Sequence, residues 1–337
     1  MELVFYFFCS ATSDERREKF NMRKALIVGI DYYNNVAPLY GCSTDACAVD
    51  SVLSTNGDGT KNFDTKLCIA TDQYSIISRK ELKNNIEELF KDNCEISLFY
   101  FSGHGYIEST GGYLITSDCS EGDDGLPMSD LLNIANASPA RNKIIVLDCC
   151  HSGIMGNPSY LDASILKEGM TILTASSAEQ YALEEEGSGV FTKLFVNALN
   201  GSAANLLGDI TPGSIYAHID QSLGLWEQRP IFKTNIRQFT VLRRMFPSIS
   251  LADLKKIVEL FPMKDQDFKL DPSFEPQSTN PNEENMKKFE ILQKYNRINL
   301  VVPVDSKHMY FAAMEEKSCR LTVLGKHYWN LVKKHRI

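Results

Sequence analysis

Lys143-Ile-Ile-Val-Leu-Asp-Cys-Cys-His-Ser-Gly153 is the stretch on which the reading of this chain turns. Its apolar run shows no alternation with polar residues, the pattern of a strand buried on both faces of a parallel sheet. Ser152-Gly153 then lets the backbone turn sharply. Working outward, Glu95-Ile-Ser-Leu-Phe-Tyr-Phe101 repeats the pattern and ends in Ser102-Gly-His-Gly105. Lys24–Ile30, Thr65–Ile69 and Gly169–Ala175 read as further strands. Between them lie helical spacings over 44–54, 78–92, 127–137 and 190–199. Alternating strands and helices predict an α/β fold, its sheet mostly parallel and covered by helices on both faces. Sites in such sheets form beyond the carboxyl ends of the strands. His104 and Cys150 both fall there.

A thiol with its ordinary pKa of about 8.5 is a poor nucleophile until a neighbouring base takes its proton. Cys150 is the candidate nucleophile and His104 the candidate base, each at a strand end with glycine close by. Alone, neither would carry the argument, because a histidine capping a strand is often structural and a cysteine in an apolar strand is usually inert. The pair at two strand ends does. Asp148 lies two residues before Cys150, on the same side of the strand, so Cys149 faces the other way.

Several linked motifs go beyond this chemistry. Strand-Ser-Gly-His-Gly, strand-Asp-Cys-Cys-His-Ser-Gly, Thr174-Ala-Ser-Ser-Ala-Glu-Gln180 and Gly189-Val-Phe-Thr-Lys-Leu194 occur in order. Together they resemble the caspase-like (CD clan) cysteine peptidases, in the bacterial caspase and metacaspase branch, over residues 22–245. The resemblance implies a caspase-like three-layer sandwich that hydrolyses peptide bonds with Cys150 as nucleophile and His104 as base. It also implies an oxyanion hole from the Gly105 and Cys150 N–H groups, which would face the charge developing on the scissile carbonyl. Asp45, in Tyr40-Gly-Cys-Ser-Thr-Asp-Ala46, resembles the residue that joins Asp148 in the substrate pocket. Two carboxylates select a cationic side chain, so cleavage after Arg or Lys is expected. No cofactor is needed for the chemistry. Metacaspases often bind an activating calcium near the acidic loop Asp118–Asp124, with Asp118, Asp123 and Asp124 as candidate ligands. A solvated acidic loop is the competing and favoured reading.

Composition bounds the rest. The 337 residues suffice for a large domain and a smaller one. Nine cysteines at irregular spacing form no disulfide framework, which favours a reducing, cytoplasmic setting. No apolar run approaches the roughly 20 residues that cross a bilayer, and Leu3–Phe8 is too short for a signal peptide. Residues 1–21 read as an N-terminal arm, 22–246 as the peptidase domain and 247–337 as a separate C-terminal module. The first 246 residues carry 20 Lys and Arg against 31 Asp and Glu, and the remainder 15 against 12. An excess of three positive charges is too weak to argue nucleic-acid binding. The C-terminal module is expected to be α+β and winged-helix-like, with 271–285 as a linker or exposed loop and a last helix from Leu321. By analogy it is the place for a small-molecule or protein activator, in a setting such as bacterial antiviral defence or cell death. The competing function is a catalytically silent, caspase-shaped binding module.

Overall fold

Strand β1 (Arg23–Ile30) carries Leu26, Val28 and Ile30 toward one face of a sheet and Ala25 and Ile27 toward the other, so both faces must be covered. The computed structural model describes residues 22–108, 111–120, 124–149, 165–175, 184–185, 188–224 and 229–337. The chain divides into two compact units, one ending at Phe246 and the other spanning Pro247–Ile337.

In the first unit β1 is followed by β2 (Asp64–Ala70), β3 (Ile96–Ser102), the hairpin β4 (Gly105–Glu108) and β5 (Gly111–Leu114), β6 (Leu126–Pro127), β7 (Asn142–Asp148) and β8 (Met170–Thr174). Short pieces β9 (Glu184–Glu185), β10 (Ser188–Gly189) and β11 (Asp209–Ile210), then β12 (Ile231–Asn235) and β13 (Arg243–Arg244), complete it. The main sheet has the order β12-β8-β7-β3-β1-β2, parallel throughout except for β12, which runs antiparallel to β8 at one edge. Helices α2 (Arg79–Phe90) and α3 (Met128–Ala137) pack on the face that holds Phe99, Phe101, Ile145 and Leu147. Helices α1 (Cys42–Ser54), α4 (Val190–Asn197) and α5 (Pro212–Ser222) cover the other, with Leu98, Tyr100, Ile144 and Val146. This is the expected three-layer α/β arrangement. The edge strand β12 and the helix α5 go beyond the elements expected from the sequence, although Thr211 and Pro212 mark the start of α5.

The chain leaves β1 in one direction to form β2, then returns to lay β3 on the other side of β1. A crevice opens at such a reversal, outside the carboxyl ends of the strands. Here α1 is drawn close. Gly29 lets it approach, since a Cβ on that residue would lie 2.3 Å from the Cys42 carbonyl oxygen. Asp31, just beyond β1, then caps the helix from a distance: its carboxylate accepts from the N–H groups of Cys42 (2.8 Å) and Ser43 (3.2 Å) and from the Ser43 hydroxyl. These contacts fix the first turn of α1, which carries Asp45.

The second unit is α+β. Helices α6 (Leu251–Lys255), α7 (Ile257–Leu260), α8 (Glu283–Arg297), α9 (Met309–Met314) and α10 (Val323–Lys333) surround a small antiparallel sheet of β14 (Phe268–Lys269), β16 (Ser318–Leu321) and β15 (Val301–Val304), in that order. Phe261, Phe268, Phe274 and Phe289 form a ladder with ring centroids 5.8–6.0 Å apart. Phe274 thus ties down the segment read as a linker, and Asp271 caps a short 3₁₀ turn over Pro272–Phe274. The last helix starts at Val323, with the Thr322 hydroxyl accepting from the Gly325 N–H at 2.9 Å. Tyr328 is buried inside this unit, and the Trp329 indole N–H donates to the Phe261 carbonyl at 2.6 Å. No helix among the described residues is long and apolar enough to cross a membrane.

Candidate active site

The carboxyl ends of β1, β3 and β7 lie side by side, with Gly29 opposite Ser102 and Ser102 opposite Asp148. His104 emerges two residues beyond Ser102 and is half-buried. Its Nε2 lies 2.8 Å from the Ala37 carbonyl oxygen. A carbonyl can only accept, so Nε2 carries the proton and Nδ1 is the basic nitrogen of the neutral ring. The backbone is held as firmly. The His104 N–H donates to the Tyr33 hydroxyl at 2.8 Å, which in turn donates to the Ile30 carbonyl at 3.0 Å. The Ile115 N–H donates to the His104 carbonyl at 3.0 Å, fixing the start of the β4–β5 hairpin and Gly105 with it. Tyr33 and His104 rings also pack with centroids 4.8 Å apart. Burial, above all, pushes the Tyr33 phenol above its ordinary pKa, so this hydroxyl keeps its proton.

A second cluster lies on the α1 side of the sheet. Asp45 and Asp148 are both buried, at 2% and 6% exposure. Burying two carboxylates is costly unless donors surround them. The Gly189 N–H donates to Asp45 Oδ2 at 3.0 Å, and the Thr192 hydroxyl donates to Asp148 Oδ2 at 2.6 Å. The Ser102 hydroxyl reaches Asp45 Oδ2 at 3.5 Å. Gly189 touches both acids: a Cβ there would stand 2.4 Å from Asp148 Oδ2 and 3.1 Å from Asp45 Oδ2. The two aspartates, 103 residues apart in the chain, therefore meet at Gly189. Burial pushes the Cys42 thiol up, with the Ser102 hydrogen bond opposing and Asp31, Asp148 and Asp45 adding to the rise. The Tyr100 phenol is raised likewise, by burial first and then by Asp148 and Asp45.

A caspase-domain family model matches residues 22–245 of the chain. The chain belongs to the caspase family of cysteine peptidases. Metacaspase-1 of Candida albicans is 26% identical over 212 residues, which cover 54% of this chain and 47% of that protein. Metacaspase-1 of Plasmodium falciparum is 26% identical over 148 residues, covering 40% and 24%. The chain thus spans about half the length, or less, of these curated relatives. Among solved structures, protein GSU0716 from Geobacter sulfurreducens superposes with a TM-score of 0.51 at 15% identity, covering 67% of this chain and 98% of that one. Caspase-1 from Spodoptera frugiperda gives 0.50 at 14% identity, covering 67% and 91%. Identities this low speak for the caspase fold alone.

Within this caspase domain His104, Gly105, Asp148 and Asp45 sit together at the carboxyl edge of the sheet, while Cys150 lies outside the described residues. Its neighbour Cys149 is 1% exposed and packs in the apolar layer with Tyr33 and Leu147, the face opposite the acid pair. Strand alternation requires this. Asp123 also lies outside the described residues. Asp118 accepts from the Arg79 N–H at 3.0 Å, at the start of α2, and from the Thr116 hydroxyl at 2.7 Å. Asp124 Oδ2 accepts from the Ser120 N–H at 3.3 Å. No group of three potential metal-ligating side chains occurs among the described residues.

Sequence reasoning missed Tyr33, the Ala37 carbonyl, Cys42, Ser102, Thr192 and Gly189. Four of these had a usable signal. Gly189 and Thr192 both stand in the Gly189-Val-Phe-Thr-Lys-Leu194 motif. Cys42 precedes Asp45 by three residues on the buried face of α1, and Ser102 shares a strand face with Tyr100. Nothing local marks the Ala37 carbonyl, which is 67 residues from His104 in the chain.

Proposed function

We propose that this chain is an endopeptidase that cuts after Arg or Lys, with Cys150 as nucleophile and His104 as general base. The observation that carries the reading is the convergence of buried Asp45 and Asp148 on Gly189, beside the strand end that presents His104. A pair of carboxylates favours a guanidinium or ammonium and repels an acidic side chain. With Nε2–H held by Ala37, the Cys150 thiol proton passes to Nδ1 and the thiolate attacks the scissile carbonyl carbon. The N–H groups of Gly105 and Cys150 receive the developing oxyanion. Collapse expels the amine, which takes its proton from the imidazolium, and water hydrolyses the thioester. Residues 247–337 act in this proposal as a control module that receives a small-molecule or protein activator, in the cytoplasm.

Fluorogenic peptides ending in Arg, Lys or Asp, with and without calcium, test the proposal on the wild type and on Cys150→Ala. Cleavage of the Arg and Lys peptides, lost in the variant, is the expected result. Cleavage of the Asp peptide alone would sink the pocket assignment. No cleavage of any peptide under either condition would leave two readings, a silent binding module or a latent enzyme that lacks its activator.

A further inference from the structure

Thr192 belongs to no catalytic role yet sits 1% exposed in the first turn of α4, with its hydroxyl on the Asp148 carboxylate. Its Oγ1 is also 2.6 Å from the Tyr100 hydroxyl, which is wholly buried on β3. A threonine hydroxyl has one proton to give. Since a carboxylate only accepts, that proton goes to Asp148, and Tyr100 must supply its own to Thr192. The direction of the chain is therefore set: Tyr100 to Thr192 to Asp148. Both hydroxyls are stiffly mounted. Threonine is branched at Cβ and restricted at χ1, and the Tyr100 ring stacks on Phe195 with centroids 6.4 Å apart. Gly189 closes the other side of the same Oδ2 atom.

We propose that Tyr100 and Thr192 are positioning residues for substrate selection, fixing the plane of the Asp148 carboxylate so that it receives a guanidinium in preference to an ammonium. This rests on the basic-pocket reading above. Planar guanidinium recognition depends on the orientation of the carboxylate, whereas an ammonium is a compact charge with rotatable donors and tolerates a turned one. Loosening Asp148 should thus cost arginine substrates more than lysine substrates. A residue that merely supported the fold would affect both alike.

The test measures kcat and KM of the full chain on two fluorogenic peptides that differ only in Arg or Lys before the cleaved bond. Where turnover is slow, labelling of Cys150 by acyloxymethyl ketones bearing Arg or Lys reads the same ratio. Thr192→Val removes the donor at nearly constant shape, Thr192→Ser keeps it, and Tyr100→Phe removes the outer donor. Losing a hydrogen bond to a charged group should raise KM for the Arg peptide about tenfold in Thr192→Val. For the Lys peptide the rise should be about threefold or less, with kcat nearly unchanged. Thr192→Ser should behave as wild type, and Tyr100→Phe should shift the Arg-to-Lys ratio in the same direction by about threefold. Equal losses on both peptides, a fall in kcat alone, or failure of the serine variant to rescue would overturn the relay. If Thr192→Val does not fold, Tyr100→Phe decides, and an unchanged ratio overturns the proposal. A wild type that neither cleaves nor is labelled by basic substrates defeats the pocket reading itself, and the relay with it. A wild type that prefers Arg while every variant keeps that preference defeats the relay alone.

Discussion

His104 stands at the end of β3, half-buried and held by backbone, with a carbonyl on its Nε2 and a tyrosine hydroxyl on its amide. Asp45 and Asp148, only a few residues away across the strand ends, lie in the interior and are held by a hydroxyl and an amide N–H. The difference fits what the proposed function asks of each. A base must release and regain a proton, so its ring needs a defined tautomer and access to the reacting groups. A selector must present fixed charge in a place where water does not weaken it. Under the proposed function, the rim serves proton transfer and the interior serves recognition. This separation can be tested by asking whether changes at one end leave the work of the other intact.

The largest effect belongs to the rim. His104→Ala should lower kcat/KM by about a thousandfold, and by the same factor for Arg and Lys peptides. A loss that depended on the residue before the cleaved bond would break the separation. Asp148→Asn comes next. Removing the charge should lower kcat/KM on the Arg peptide by about two orders of magnitude, mostly through KM. A fall carried by kcat would place Asp148 with the chemistry instead.

Gly189→Ala sharpens the interior side. The backbone φ of Gly189 is −65°, which any residue adopts, so the penalty is purely steric: the new methyl would lie 2.4 Å from Asp148 Oδ2. KM for both basic peptides should rise about tenfold or more while kcat changes little, since relieving the clash displaces the carboxylate. Tyr33→Phe is the matching change on the rim, deleting the hydroxyl that accepts from the His104 N–H. It should reduce kcat about tenfold with KM preserved, because a buried donor loses its partner and His104 loosens. Unfolding midpoints measured alongside separate this from a general loss of stability.

The smallest effect is chemical rather than kinetic. The Cys42 thiol sits with the acid pair, and burial first, then Asp31, Asp148 and Asp45, hold it in the neutral form. A raised thiol pKa leaves almost no thiolate near neutral pH, so iodoacetamide at mildly alkaline pH should spare Cys42 in the folded chain. Exposed Cys47, one and a half turns along the same helix, should be alkylated. Peptide mapping reads both. Rapid labelling of Cys42 would show that the interior side is wet.

Much of the architecture was legible because it depends on local periodicity. The apolar runs at Lys24–Ile30, Glu95–Phe101 and Lys143–Asp148 became β1, β3 and β7, and the spacing of Ala46, Val49, Val52 and Leu53 became the buried face of α1. The edge strand Ile231–Asn235 was missed because an edge carries a mixed pattern of half-buried and exposed residues. Asp271–Asn285, expected as a linker or exposed loop, is largely exposed as the second reading has it, but Phe274 anchors it in the second unit, which its Pro and polar content did not reveal.

Sequence alone determined the α/β class, the strand ends that carry His104 and Asp148, and the opposite facing of Cys149, since each follows from neighbours a few residues away. The tertiary structure decided how those residues are tuned. The Ala37 carbonyl that sets the His104 tautomer, the Gly189 amide that meets Asp45 and the Thr192 hydroxyl that meets Asp148 come from 67, 144 and 44 residues away in the chain. Contacts of that range leave no periodic trace, because they depend on the order in which strands are laid into the sheet and on which helix covers which face.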